Sequence, residues 1–255
     1  MTTIHHSIHP EDREVMVGMR EQVAPMKGSI TGPEARPLFD SMMLHVAAAP
    51  GVTYETATVG GFDGAWCRPV DAADASAAIL YFHGGAYVIG SAQAYRNFVG
   101  QVVARTKTAA FVPEYGLAPE RPFPAAVDDA RAAYAGLPRA EADPLLTRDS
   151  LATTARLYLG EHSARDPLAS PLHGNLADLP PVLIHVGEDE ILLDDSRRYA
   201  DRVHGQGGWC EVHVWEGMVH VFQSYLELLR AGKESLKAIS EFLEHQLHTK
   251  QKVST

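Results

Sequence analysis

Apolar residues along the chain recur in two alternating patterns, which together predict an α/β protein. Short continuous apolar runs, typical of strands buried on both faces, lie at residues 77–82, 109–113 and 181–186. Segments with the apolar spacing of a helix follow these runs, at residues 94–106, 124–137 and 195–203. Strands that alternate with helices indicate a mostly parallel sheet that is covered by helices on both faces.

The first fifty residues have helical character. Pro10 begins a helix that runs to about Val23, with acidic residues in its first turn. A second helix begins near Pro33 and carries an apolar face that includes Phe39, Met42, Met43 and Leu44. This face either packs into the core or covers an apolar binding pocket, because methionine surfaces adapt to irregular ligands.

Further elements complete the predicted pattern. The β-branched alternation of residues 52–60, followed across two glycines by residues 63–69, predicts a β-hairpin. Near the carboxyl end, residues 210–215 form a strand pattern, and helices are predicted at residues 221–229 and 233–247.

Composition narrows the possible functions. The 255 residues carry 22 basic and 32 acidic side chains, so a net charge of −10 disfavours nucleic acids and anionic membranes as partners. An apolar content of 45% excludes a disordered chain. Neither a signal peptide nor a membrane span is evident, and Cys67 and Cys210 are expected as free buried thiols. These features predict a cytoplasmic protein.

A glycine-rich segment at the end of a buried strand is the first candidate for chemistry. His83, Gly84, Gly85 and Ala86 follow the strand at residues 77–82. Glycines there allow a tight turn whose free N–H groups stabilise a developing negative oxygen, as in an oxyanion hole. The alternative is a glycine turn without chemical meaning.

The next segment favours the oxyanion hole. Residues 114–126, with the sequence EYGLAPERPFPAA, close the following strand. Together with the sequence HGGAY at residues 83–87, they resemble the hormone-sensitive-lipase-like esterases, the bacterial family IV carboxylesterases of the α/β-hydrolase fold. The chain departs from that family's pattern with Ala86 for a third glycine, Glu114 for aspartate and Gly116 for arginine. The last departure removes a cation and predicts a looser loop.

Two loops near the carboxyl end resemble those that carry the family's catalytic acid and histidine. The resemblance assigns the acid to Glu190, with Asp189 as the alternative, in a loop after the strand at residues 181–186. It assigns the general base to His220, in a loop after the last strand. The order of acid and histidine along the chain agrees with that of the α/β-hydrolase fold.

The nucleophile is missing. The family carries its serine in a GDSAGG sequence on a strand-to-helix elbow, and this chain has no G-x-S-x-G sequence. Ser150 lacks the flanking glycines and is interpreted as a helix N-cap. A segment of roughly 30 residues or more is absent near residues 137–138, by the length of a strand–helix–strand unit. The chain is therefore internally shortened, a pseudoenzyme, or supplied with a hydroxyl from elsewhere.

The resemblance implies a helical cap over residues 1–50 and an α/β-hydrolase core over residues 51–255. It implies hydrolysis of a small carboxylic ester or lactone without a cofactor or metal, with the amides of Gly84, Gly85 and Ala86 as the oxyanion hole. The likeness is greatest to small esterases that include monoterpene ε-lactone hydrolases. A non-catalytic binding protein is the alternative, and the oligomeric state is left open.

Other polar residues have simpler interpretations. His5, His6 and His9 have the spacing of a metal clip, but a mobile terminus explains them better. His213 lies within a strand and is expected to be structural. Ser91 follows Gly90 as in many family members, where it is not a nucleophile.

Overall fold

The computed structural model describes residues 2–24, 32–59, 61–71, 77–135 and 155–249. The strands are β1 (Thr2–His6), β2 (Val52–Val59), β3 (Phe62–Pro69), β4 (Ala78–Leu80), β5 (Ala109–Pro113), β6 (Val182–Gly187) and β7 (Cys210–Trp215). The helices are α1 (Pro10–Val23), α2 (Arg36–Met43), α3 (Ala92–Thr106), α4 (Ala125–Ala135), α5 (Leu193–Gly205) and α6 (Arg230–Thr249). Residues 155–159 are also helical.

The strands form two sheets. One sheet has the order β2-β3-β5-β4, and the other has the order β1-β7-β6. Antiparallel pairing is confined to the β2–β3 hairpin and the β3–β5 pair, and the other ladders are parallel. Within the described ranges, β4 pairs only with β5 and β6 pairs only with β7. In the described residues, the predicted parallel sheet is therefore present as two parts, in which β4 and β6 are each paired on one side.

Most predicted elements are confirmed, and one is wrong. The helix that begins at Pro10, the hairpin and the three predicted strands are present, although β4 contains only three residues and the first four residues of β6 are only partly buried. The helix predicted over residues 221–229 is instead a short 3₁₀ turn at Phe222–Ser224. Val221 has a left-handed backbone, with φ of 51°, which excludes this residue from a right-handed helix.

The amino-terminal strand differs from the mobile terminus that the sequence predicts. Thr2–His6 pairs in parallel with β7 over its whole length. The ring of His6 stacks on Trp215, with centroids 3.7 Å apart. Ladder hydrogen bonds and this aromatic contact order a segment that has little apolar character of its own. The two helices of residues 1–50 pack in different places. Helix α1 packs against α6, whereas α2 packs against α3.

The largest buried cluster joins the amino-terminal and carboxyl-terminal parts of the chain. It contains Val88 and Ile89, which follow the glycine-rich segment, and also Leu226 and Leu236. Phe39 of α2 is 3% exposed in the same cluster, which favours core packing for this face of the helix.

Both cysteines are buried and free, as expected. Burial raises the pKa of Cys67 to about 12, so this thiol stays protonated. In the described ranges, no helix is both long and apolar enough to cross a membrane.

Candidate active site

The glycine-rich segment after β4 forms a compact loop whose backbone requires unusual conformations. Gly85 has φ of 120°, and a Cβ atom there would lie 2.0 Å from the carbonyl oxygen of Ile89, so glycine alone fits. Ala86 and Tyr87 also have positive φ values, of 52° and 62°. The carbonyl oxygen of Gly85 accepts from the N–H groups of Val88 and Ile89, which closes the loop.

This loop presents its first amides without internal partners. In the described part of the chain, the N–H groups of Gly84, Gly85 and Ala86 donate to no other group. Free amides on a fixed backbone are the chemical requirement for an oxyanion hole. The left-handed conformation of Ala86 costs roughly 1–2 kcal/mol relative to glycine, which is consistent with a strained functional turn.

His83 is a structural support of this loop. Its ring is 3% exposed, and its Nδ1–H donates to the carbonyl oxygen of Gly84 at 2.8 Å. Burial lowers the pKa of His83 to about 4, so the ring is neutral at physiological pH. Tyr115 stacks on the ring, and its hydroxyl donates to the carbonyl oxygen of His83 at 2.6 Å. Nothing in the sequence pattern predicts this role for Tyr115, which lies within the EYGLAPE segment.

The two carboxyl-terminal loops bring Glu190 and His220 together. Glu190 follows β6 and His220 follows β7. His220 Nδ1 lies 3.1 Å from Glu190 Oε2, and the two side chains are 16% and 7% exposed. Nδ1–H therefore donates to the carboxylate, which fixes the orientation of the ring.

The other nitrogen of His220 is free to accept a proton. His220 Nε2 is buried and has no hydrogen-bond partner within the described ranges. A buried nitrogen without a partner is uncommon, because desolvation without a compensating hydrogen bond is costly. Nε2 of His83 and Nε2 of His185 are also buried without a described partner, so His220 is distinguished by its position in the loop after β7 and by its contact with Glu190.

Asp189, the alternative acid, has a different partner. Its carboxylate binds the guanidinium group of Arg20 on α1. The backbone N–H of Asp189 donates to the carbonyl oxygen of Met218 at 3.1 Å. The geometry therefore distinguishes the two adjacent acids, because Glu190 contacts the imidazole and Asp189 contacts α1. The sequence pattern does not predict the contact with Arg20, because Arg20 lies 169 residues away along the chain.

Close approach of the two loops depends on Gly187. A Cβ atom at this position would lie 2.2 Å from the carbonyl oxygen of Met218. The two loops are also joined by a hydrogen bond from the N–H of Glu188 to the carbonyl oxygen of Trp215, at 2.9 Å. Glycine at the end of β6 thus permits the loop contact on which the Glu190–His220 pair depends.

A cation from elsewhere in the chain lies beside Gly116, the position at which the family pattern has arginine. Arg121 binds the carboxylate of Asp129 with both terminal nitrogens, and the N–H of Gly116 donates to the same carboxylate at 2.8 Å. A Cβ atom at Gly116 would lie 2.6 Å from the Arg121 guanidinium, so Arg121 occupies the space beside the glycine. Arg121 thus places a cation beside Gly116, and the expectation of a looser loop stays a prediction.

The remaining histidines have structural partners. His213 Nε2 donates to Glu211 at 2.8 Å, and His213 Nδ1 lies 2.9 Å from His6 Nε2. His9 binds Glu234 at 3.1 Å. Ser91 is the N-cap of α3, where its hydroxyl accepts from the N–H of Ala94. Ser150 and the predicted loss near residues 137–138 lie outside the described residues.

Comparison with known proteins identifies the family. A family model described as an α/β-hydrolase fold matches residues 79–140 and 134–224. The chain belongs to this α/β-hydrolase family. An acetyl-hydrolase of Streptomyces hygroscopicus is 30% identical over 246 residues, covering 74% of this chain and 82% of that protein. The resemblance to hormone-sensitive-lipase-like esterases is thereby confirmed at the level of the family.

Solved structures support the same assignment. EstE5 soaked with ethyl alcohol matches with a TM-score of 0.84 and 29% identity, covering 93% of this chain and 99% of EstE5. EstE7, described as a hormone-sensitive-lipase homologue from a metagenome library, matches with a TM-score of 0.81 and 27% identity. The match covers 91% of this α/β hydrolase and 97% of EstE7.

The same comparisons locate a discontinuity in this α/β hydrolase. The family model matches in two pieces that meet at residues 134–140. The alignment with the Streptomyces protein spans 246 positions but covers only 74% of the residues of this chain. The Streptomyces protein therefore has residues without counterparts here.

Proposed function

We propose that this protein hydrolyses carboxylic esters by serine-type acyl transfer, with His220 as the general base. The observation that carries this proposal is the state of the His220 ring. Nδ1 is held by Glu190 at 3.1 Å, while Nε2 is buried and unpartnered among the described residues. A ring held in this way has its basic nitrogen available for the proton of an attacking hydroxyl.

The nucleophile belongs to a strand–elbow–helix segment that this chain lacks near residues 137–138. Three observations support this assignment. The chain contains no G-x-S-x-G sequence, no strand of the described residues joins β4 to β6, and the family model matches in two pieces. A serine on a central strand of the fold would fill the gap between these two edges. The catalytically active form is therefore the chain with this segment present.

The reaction follows from these positions. The serine hydroxyl attacks the ester carbonyl carbon and its proton moves to His220 Nε2, while Glu190 stabilises the imidazolium. The amides of Gly84, Gly85 and Ala86 donate to the carbonyl oxygen as it becomes negative. The C–O bond to the alcohol breaks, and the leaving oxygen takes the proton from Nε2. Water then releases the acid from the acyl-enzyme by the same steps.

Compact apolar esters are the proposed substrates, with lactones of monoterpene size among them. The support is the resemblance to small esterases that include monoterpene ε-lactone hydrolases. Rates with p-nitrophenyl acetate, butyrate and octanoate, and with a monoterpene ε-lactone, test this choice. A preference for the octanoate ester would contradict it.

Restoring the missing segment tests the function directly. The stretch of the Streptomyces acetyl-hydrolase that has no counterpart here is inserted between Leu137 and Pro138 to give the restored enzyme. We expect it to hydrolyse p-nitrophenyl acetate and to react with a fluorophosphonate probe, and the 255-residue chain to do neither. The control carries alanine for the inserted elbow serine, which separates transplanted chemistry from a general improvement in folding.

Two further measurements decide between hydrolase and binding protein. In the restored enzyme, we expect His220→Ala to lower kcat by about 10⁴-fold or more. For the native protein, the gene sequence across Leu137–Pro138 and an intact mass above 27.7 kDa would indicate a longer hydrolase. A native mass of 27.7 kDa without fluorophosphonate labelling would instead support the non-catalytic binding protein.

A further inference from the structure

Arg20 on α1 connects the two loops that carry Glu190 and His220. Its Nη2 donates to the carboxylate of Asp189, which precedes Glu190 in the acid loop. The same nitrogen donates to the carbonyl oxygen of Gly217 in the histidine loop, at 2.9 Å. One guanidinium nitrogen therefore bridges two segments that come from different strands.

Several links hold the two loops together at the Glu190–His220 contact, and the Arg20 bridge is one of them. Each residue lies in a loop beyond the end of its strand, so the 3.1 Å contact between the side chains depends on how the loops are held together. The backbone hydrogen bond from Asp189 to Met218, 3.1 Å long, joins the same two loops. A displacement of about 1 Å between catalytic groups is enough to cost roughly 100-fold in rate.

The helix that carries Arg20 is firmly attached to the rest of the molecule. Asp12 is fully buried, and its carboxylate accepts from the N–H groups of Arg230 and Ala231 at 2.7 and 2.8 Å. Met16 is 2% exposed and packs in a cluster with Trp215 and Met218. These contacts fix α1 against the first turn of α6, so Arg20 extends from a rigid element.

We propose that Arg20 is a positioning residue for the Glu190–His220 pair. The proposal rests on the proposed function, because it concerns the same acid and base. The exposed ion pair with Asp189 is worth less than about 1 kcal/mol by itself. Its importance lies in geometry: the guanidinium fixes the distance between the acid loop and the histidine loop.

The test observes the imidazole directly and needs no nucleophile. In the 255-residue chain, the His220 Nδ1–H proton bonded to Glu190 is followed by NMR, with His220→Ala to assign it. We expect Arg20→Met to raise the exchange rate of this proton at least 10-fold, and Arg20→Lys to restore part of the protection. Arg13→Met is the matched control, since Arg13 lies on the same helix and, among the described residues, its side chain forms an ion pair only with Glu216, at 3.7 Å. It is expected to leave the exchange rate unchanged.

A second variant keeps the proposal falsifiable if Arg20→Met unfolds. Asp189→Asn removes the ion pair from the other side and is expected to raise the exchange rate in the same direction. In the restored enzyme, Arg20→Met is expected to lower kcat about 10-fold with KM within twofold. Unchanged exchange in both variants would overturn the proposal. The proposed function fails on a different observation, the absence of ester hydrolysis by the restored enzyme.

Discussion

The hydroxyl of Tyr115 donates to the backbone carbonyl oxygen of His83 across 2.6 Å, at the start of the glycine-rich loop. Tyr115 therefore anchors the backbone immediately before Gly84, Gly85 and Ala86, whose N–H groups have no described partner. We expect Tyr115→Phe to lower the free energy of unfolding by about 1–3 kcal/mol, because a buried carbonyl loses its donor. Urea unfolding of the 255-residue chain measures this change.

Tyr115→Phe also tests whether this hydrogen bond acts on the glycine-rich loop itself or only on the stability of the whole fold. In the restored enzyme, Tyr115→Phe is expected to lower kcat because the loop loses its anchor. Tyr54→Phe is the matched control, since the Tyr54 oxygen accepts from the N–H of Ala49 at 3.1 Å, away from this loop. An equal loss of kcat in both variants would contradict a specific role for Tyr115.

Arg121 is predicted to replace the arginine that is missing at residue 116. Asp129 is 5% exposed, and Arg121→Ala would leave its carboxylate with the N–H of Gly116 as its remaining described partner. Removal of one partner from a buried ion pair typically costs about 3–5 kcal/mol; the exposure of Arg121 places this case near the lower end. The midpoint of urea unfolding measures the loss.

A second substitution tests the compensation. Gly116→Arg in the Arg121→Ala background restores a cation beside Asp129 and is expected to recover at least half of the lost stability. Gly116→Ala in the same background provides the control for side-chain volume. Equal recovery by alanine and arginine would show that the charge at this position is unimportant.

Gly187 is predicted to be irreplaceable at the end of β6. A Cβ atom there would lie 2.2 Å from the carbonyl oxygen of Met218, and this backbone oxygen cannot move without separating the two loops. We expect Gly187→Ala to lower kcat of the restored enzyme by about 100-fold, because the Glu190–His220 geometry is lost. Gly18→Ala is the control, since Gly18 lies within α1 with open space around it. That control is expected to stabilise the protein by up to about 1 kcal/mol.

Acid is predicted to destabilise the protein through its buried histidines. Burial lowers the pKa of His83 to about 4 and that of His185 well below its usual value. Between pH 6.5 and 5 the unfolded chain binds protons at these sites and the folded chain does not, so stability falls as the pH falls. Each histidine contributes about 2 kcal/mol over this interval.

His185→Gln isolates one of these contributions. His185 Nδ1 accepts from Trp215 Nε1 at 3.1 Å, and the glutamine oxygen retains an acceptor. Urea unfolding at pH 7 and pH 5 is compared for the variant and the parent chain. We expect the loss of stability on acidification to be about 2 kcal/mol smaller in the variant. Identical losses would exclude His185 as a source of acid sensitivity.

The sequence predicted local elements well because their signals are local. The hairpin, α1, and strands β5 and β7 follow directly from residue pattern and turn chemistry. The helix predicted over residues 221–229 was wrong because the left-handed Val221 depends on the turn after His220, which no periodicity reveals. Strand β1 was missed because its order comes from the edge of β7, more than 200 residues later.

The candidate site also combines features that the sequence predicts with features that depend on contacts distant along the chain. Loop position and the family resemblance brought Glu190 and His220 into consideration, but the choice between Asp189 and Glu190 needed coordinates. Adjacent acids cannot be separated by spacing, whereas the contact of Asp189 with Arg20 separates them at once. The role of Arg121 was hidden for a similar reason, because a cation can enter one position in space from two positions in sequence.

The stacking of His6 on Trp215, at 3.7 Å, gives the protein an internal optical reporter. A protonated imidazole quenches indole fluorescence more strongly than a neutral one. Trp215 also ends β7, immediately before the loop that carries His220. With Trp66 and Trp209 replaced by phenylalanine, its emission registers both the attachment of the amino-terminal strand and the charge on the ring that covers the indole.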